Sequence, residues 1–250
     1  MYRGIVAVCI VAALSACSRD ATTSAPAPSP SISASSGVAF TVAGVNPVPP
    51  NGSQDTHAQT PTATCDSATF AADKATGAGV ADGFAVANFP VAAYLLRHFL
   101  DGDGTRVDYP AGSVISKEAL ASSAFLAVNK QVQEAILGQL SAGTTRVRLS
   151  AAQLPTVAFE SQTSDLYWGF RGTQGLTVTG GGSRENGRYV GTLSYVIRDS
   201  YGFPAGDTLS GFGPPMRYLQ TVCGAPQQPG GARWFPDTIT VTVPFDRPAG

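Results

Sequence analysis

Acid–base chemistry in this chain would have to come from a few aspartates and two histidines. Asp101 and Asp103 stand two positions apart in Asp101-Gly102-Asp103-Gly104-Thr105, directly behind the apolar Phe99-Leu100. Paired carboxylates suit a reaction in which one group attacks and another protonates the leaving group, because one carboxylate cannot do both at once. His57 and His98 are the two histidines. A Ser-His-Asp device must therefore use His98, and no Gly-x-Ser-x-Gly elbow occurs to present a nucleophile. Beside Arg97 near a helix end, His98 more simply serves the helix dipole or a hydrogen bond. Zinc needs three or four ligands, so no metal and no cofactor is expected.

Asp101-Gly102-Asp103-Gly104-Thr105 resembles the Asp-x-Asp-Gly-Thr signature of haloacid-dehalogenase-like phosphatases. The resemblance implies Asp101 as nucleophile and Asp103 as general acid, both helping to hold Mg²⁺. That fold also requires a parallel strand before the motif, βαβ units after it and a later acidic pair. Here the preceding residues scan as helix, the following pattern is antiparallel, and no acidic pair comes after. A calcium loop fares no better: counted from Asp101, Arg106 and Gly112 occupy the positions where an EF-hand needs Gly and Glu. The expectation is a helix-to-strand turn, in which glycines permit positive φ and carboxylates bond the backbone.

Three charges interrupt apolar runs. They are Arg171 after Leu166-Tyr167-Trp168-Gly169-Phe170, Asp199 beside Arg198 after Tyr195-Val196-Ile197, and Arg217 before Tyr218-Leu219. Charges rarely enter a core unpaired. Arg171 or Arg217 with Asp199 is expected to make either a structural ion pair or a small cleft lined by Tyr201, Tyr218, Trp168 and Trp234. Arg171, Asp199, Arg217 and Tyr201 are thus the candidate ligand or ion-pair cluster. The nine residues from Tyr195-Val196-Ile197-Arg198-Asp199 to Ser200-Tyr201-Gly202-Phe203 resemble a strand ending found in uncharacterised secreted bacterial proteins and some polymorphic-toxin tail domains. The resemblance implies no catalytic assignment, but it keeps a toxin-like or hydrolytic alternative open.

The elements that must position these groups follow from periodicity. Residues 89–100 place Val91, Ala92, Leu95, Leu96 and Phe99 three and four apart, with Asn88 as a cap and Pro90 in the first turn. Ser122 or Ser123 caps a second helix running to about Leu140, with a stripe of Phe125, Val128, Val132, Ile136 and Leu140 and Gly143 beyond its end. The period then changes to two. Strands are expected at 145–149, 157–160, 166–170, 175–179, 189–198, 216–222 and 238–243, with Asn186-Gly187 as a hairpin turn. Two N-terminal helices packed on a mainly antiparallel β-sheet make an α+β fold.

Composition excludes some partners. The 250 residues are 43% hydrophobic and only 13% charged, about half the usual share, and 16 basic against 17 acidic residues leave a net charge of -1. That is no footprint for a nucleic-acid binder.

Arg3, the apolar run 5–14 and the small residues before Cys17 form a signal-peptide layout. The apolar run is too short to span a bilayer. Leu14-Ser15-Ala16-Cys17 resembles the lipobox of bacterial lipoproteins. The resemblance implies removal of residues 1–16, acylation of Cys17 with diacylglyceryl and fatty (palmitate-type) chains, and anchoring on the extracytoplasmic side of the cell envelope. Membrane lipid is then one partner. More than one acyl chain gives stable anchoring. Residues 17–64, rich in Ala, Pro, Ser and Thr, bury too little to offset their ordering entropy and read as a disordered tether. Within them Val38-Ala39-Phe40-Thr41-Val42 is a short patch that can form an early strand or a docking segment. Cys65 and Cys223 remain for the single domain at 65–250, and in an exported protein they read as a disulfide. Closing a loop of 158 positions stabilises by at most roughly 5 kcal/mol.

The scarcity of histidine, the missing nucleophile motif and the tether favour a lipid-anchored, non-catalytic module that binds an envelope protein or ligand. The alternative is an exported hydrolase or toxin-like enzyme working through carboxylates such as Asp199, with Asp101 or Asp103.

Overall fold

The computed structural model describes residues 37–47, 64–171, 175–203, 211–224 and 230–250. The lipobox, Cys17 and most of the expected tether lie outside them. In chain order the described elements are β1 (Ala39–Asn46), α1 (Ser67–Val86), α2 (Pro90–Asp101), β2 (Val107–Tyr109), α3 (Val114–Ala121), α4 (Ser123–Ser141) and β3 (Arg146–Leu149). They continue with α5 (Asp165–Phe170), β4 (Gly175–Glu185), β5 (Arg188–Tyr201), α6 (Gly213–Thr221) and β6 (Phe235–Pro248). The fold is α+β. The six strands among the described residues form one sheet in the order β2-β6-β5-β4-β1-β3.

The sheet is mixed. Antiparallel pairing joins β1 to β4, β4 to β5 and β5 to β6, while the flanking strands β3 and β2 run parallel to β1 and β6. Between β4 and β5 the turn residues Asn186 and Gly187 have φ of 48° and 72°, the pair of positive angles that a twist-matched hairpin turn needs.

The expected order of helices before strands is corrected by β1. The folded part begins well before Cys65, because Phe40 and Val42 alternate with exposed residues and point into the core. Phe40 meets Tyr189 and Phe245 edge-on at 6.0 and 5.7 Å. The patch Val38-Ala39-Phe40-Thr41-Val42 takes its strand alternative, with Ala39 to Val42 inside β1; the partners β3 and β4 are more than a hundred residues away in the chain.

Three expected strands are also corrected. Residues 166–170 are helical, because Ser164 caps Tyr167 N–H and Asp165 begins the turn. Residues 216–221 lie on α6, where Pro214 enters the first turn and Met216, Leu219 and Gln220 are buried at helical spacing. Residues 157–160 join no strand of the sheet, although Val157 and Phe159 are buried. Asn88 does not cap α2. It sits at φ 64°, and Phe89 is the cap residue.

α4 follows its expected stripe closely: Ser122 accepts from Phe125 N–H, and Phe125, Val128, Val132, Ile136 and Leu140 are buried. Two tyrosines of β5 reach up to it. Tyr195 Oη donates to Asn129 Oδ1 at 2.8 Å, and Tyr189 Oη donates to the Leu140 carbonyl at 3.0 Å.

Cys65 and Cys223 are disulfide-bonded, with Cα atoms 5.0 Å apart, tying the start of α1 to the end of α6. The same junction is held by Asp66 N–H donating to Tyr218 Oη at 2.9 Å and Lys74 Nζ donating to the Gly230 carbonyl at 2.7 Å. No helix among the described residues is long and apolar enough to cross a membrane.

Candidate functional site

Alternation along β5 turns Leu193, Tyr195, Ile197, Asp199 and Tyr201 to the helix-covered face of the sheet; on β6 it does the same for Phe235, Asp237, Ile239, Val241 and Val243. The ladder sets Ile197 opposite Ile239, Tyr201 opposite Phe235, and between them Asp199 opposite Asp237. Directly opposed side chains in an antiparallel pair have Cβ atoms about 5 Å apart, and like charges there repel. Two carboxyl groups therefore replace one rung of an otherwise apolar ladder. Asp199 is 8% exposed and Asp237 is 0% exposed.

Such a rung cannot carry two full charges cheaply. Burial pushes the Asp199 carboxyl up to about 7, partly eased by the Ser200 N–H. Asp237 is raised well above the carboxylate range, by burial first and then by the charge of Asp199. Neither Asp237 oxygen accepts a hydrogen bond from another described residue. The pair is therefore a proton-holding site at neutral pH, comparable in principle to other carboxylate dyads whose like charges prevent joint ionisation.

Tyr109 on β2 adds a third polar group. Its ring meets Phe170 edge-on at 5.7 Å. Its hydroxyl is buried without a hydrogen-bond partner, and burial, with the nearby Asp237 charge, raises its proton affinity. Tyr201 closes the rung from the other side, stacked on Phe235 with ring centroids 5.5 Å apart. Asp165 lies deeper among the helices, where its carboxylate accepts from Ala92 N–H at 2.8 Å and so serves the start of α2.

Of the four residues expected to cluster, Asp199 and Tyr201 share the rung region. Arg171 does not join them: it is exposed at the end of α5, donates to Tyr167 Oη at 3.2 Å and lies over that ring at 5.5 Å. Arg217 is half-buried on α6. Two of the aromatics named for a cleft have structural tasks, since Tyr218 accepts from Asp66 N–H and Trp168 Nε1 donates to the Gln162 carbonyl at 3.0 Å. The partner of Asp199 in the ladder is Asp237, an acid where an opposite charge is expected. Its signal was nonetheless present in the alternation Phe235, Asp237, Ile239, Val241, Val243.

Asp101 to Thr105 is a turn between α2 and β2. Gly102 takes φ 75°, and a side chain there would meet the Gly231 carbonyl oxygen at 1.9 Å. Asp103 accepts from Thr105 N–H at 2.7 Å and from Thr105 Oγ1 at 2.9 Å. His98 Nε2 lies 2.9 Å from the Thr105 carbonyl and 3.3 Å from both Asp103 Oδ1 and Thr105 Oγ1. With one ring nitrogen serving all three groups, no relay through the imidazole is formed. No cluster of three or more metal-binding side chains occurs among the described residues.

Two surface hollows flank these features. One, of about 480 Å³, runs beside the start of α4, with a floor of Val128, Phe159 and Leu166 and a rim carrying the hydroxyls of Ser122, Ser123 and Ser161. The other, of about 520 Å³, lies at β2, β6 and β5 among Arg106, Asp108, Tyr109, Val196, Thr238 and Thr240. No protein-family model, no curated protein and no solved structure matches the chain.

Proposed function

We propose that this protein is a bacterial lipoprotein, held by acyl chains on Cys17 at the extracytoplasmic side of the cell envelope, and that it works there by binding rather than by catalysis. The observation that carries this reading is the Cys65–Cys223 bridge, a bond that persists in oxidising compartments and is rare in the cytosol. It agrees with the Leu14-Ser15-Ala16-Cys17 motif, which directs the chain to such a compartment.

Binding is the better-supported activity because the acid pair is buried among the described residues, while the hollow at α4 is open. Its hydroxyl rim over an apolar floor suits an extended peptide of a partner protein, with polar backbone and small apolar side chains. A second reading, an exported hydrolase, is favoured by Asp199 and Asp237 standing opposite one another.

Protein isolated from host membranes is expected to lack residues 1–16 and to carry the added mass of acyl chains. Cys17→Ser is expected to lose that mass and leave the membrane fraction. An unacylated wild-type protein with an intact leader would overturn the anchoring. Ala127→Trp, on the exposed face of α4 lining the hollow, is expected to weaken capture of the partner at least tenfold without altering anchoring.

A further inference from the structure

We propose that β2 is a pH-responsive flap, held shut over the Asp199–Asp237 rung while that rung keeps a proton and loosened when the rung becomes fully ionised. The proposal is independent of the anchoring and binding assigned above.

The geometry supplies each part. β2 has only three residues and is an edge strand, pairing with β6 alone. Val107 lies in register with Asp237 and Tyr109 with Ile239, so the strand forms the in-plane neighbour of the acid rung. Tyr109 also lines the open hollow beside β2, and its unpartnered hydroxyl is buried. Short edge strands with few ladder bonds belong to the least stable part of a fold. Gly102 and Gly104 on one side and Gly112 on the other all take positive φ, leaving turn-forming hinges at both ends.

Opposing attachments keep the flap closed. Asp108 on the outer face accepts from Thr238 Oγ1 and is 2.7 Å from Arg106 Nε. On the inner face the apolar Tyr109–Phe170 contact holds it down.

Ionisable groups on the surrounding elements include Asp108 and Tyr109 on β2, Tyr195, Arg198 and Tyr201 on β5, Asp246 and Arg247 on β6, Tyr94, Arg97, His98 and Asp101 on α2, Lys117 and Glu118 on α3, Asp165 and Tyr167 on α5, and Arg217 and Tyr218 on α6. Asp108 is held low by its hydrogen bonds to Thr238 and Arg106, and so stays ionised across the neutral range. The tyrosines Tyr109 and Tyr201 are raised by burial and so stay neutral. His98 is the imidazole among these groups. Its ring touches Phe235 at 4.4 Å, so it requires a control.

The sign follows from linkage. The folded state holds its carboxyl proton to higher pH than the unfolded chain, so raising the pH through the neutral range withdraws stability from the folded rung. Loss of one linked proton changes the opening equilibrium by up to about tenfold per pH unit.

The test is amide hydrogen exchange of the full chain between pH 5 and 9, with protection corrected for the intrinsic exchange rate. Protection of peptides spanning 105–112 is expected to fall by up to about tenfold per pH unit above neutrality, while peptides of α4 stay constant. Asp237→Asn is expected to abolish that dependence, and His98→Gln is expected to leave it. Should Asp237→Asn not fold, Asp199→Asn provides the same measurement from the other side of the rung. Constant protection of 105–112 in the wild type, dependence retained in the Asn variants, or dependence lost in His98→Gln would each overturn the proposal.

Discussion

The sheet has two parallel edge strands, and they are finished in opposite ways. At the β3 edge, the side chain of Gln139 on α4 donates to the Arg148 carbonyl at 2.9 Å and accepts from Arg148 N–H at 3.2 Å. One amide thus occupies the backbone positions that another strand would take, which satisfies the groups and blocks edge pairing. At the β2 edge the strand instead lies beside a buried carboxyl pair and carries a buried, unpartnered tyrosine hydroxyl. Equal topology therefore does not mean equal stability. The β3 side is closed by satisfied polar groups and apolar packing from α4, whereas the β2 side adjoins two opposed carboxyls that burial disfavours as charges.

That contrast can be broken from either end. The largest effect should come from Phe125→Ala, because Phe125 is fully buried and meets Tyr195 edge-on at 5.1 Å. Emptying that site is expected to cost about 3–5 kcal/mol in denaturant unfolding, equally at pH 5 and pH 9. Asp237→Asn should act with the reverse sign, because the unfolded chain releases this proton from about pH 4 upward while the folded rung retains it. At pH 9 it is expected to stabilise by roughly 1–3 kcal/mol relative to wild type, and the gain should shrink as the pH falls towards the unfolded carboxylate range, where both states hold the proton. A melting-temperature series across that range distinguishes this from a uniform effect. Gln139→Ala should cost about 1 kcal/mol through its two lost edge bonds, and it should also raise concentration-dependent association, readable by light scattering. Arg171→Ala should change stability by less than about 0.5 kcal/mol, because its contacts with Tyr167 are exposed. A loss of several kcal/mol there would reinstate Arg171 as a structural partner.

Local signals were legible where one segment supplied both pattern and punctuation. The Ser122 cap, the α4 stripe, the Asn186-Gly187 turn and the turn character of Asp101 to Thr105 all depend on neighbours within a few positions. Segments 166–170 and 216–221 were misread because aromatic and β-branched residues suit strands, whereas the caps and proline at their starts commit them to helices. α1 left almost no stripe to read: across twenty residues it buries only Gly77, Ala81 and Phe84. β1 was legible as the patch 38–42 but its strand form was left open against a docking segment, since so short a run gains stability only when distant partners cover both edges.

The candidate site divides along the same line. Asp199 was conspicuous as a charge in an apolar run, and a core position for it followed from alternation. Charge balance predicts a guanidinium beside it, because unlike charges lower the cost of burial. What pairs with a strand residue, however, is decided by register, and the β5–β6 register joins residues 38 places apart in the chain.

Sequence alone determined part of the short-range chemistry: the Ser122 cap, the Asn186-Gly187 hairpin turn and the two domain cysteines available for bonding. These depend on backbone conformations a few bonds apart. Tertiary structure alone decided that an acid would face an acid, that a tyrosine hydroxyl would be buried beside them, and that a three-residue strand would cover the edge. Those outcomes depend on which distant strands align, because only alignment sets the burial and distance that turn two ordinary aspartates into a site that must keep a proton.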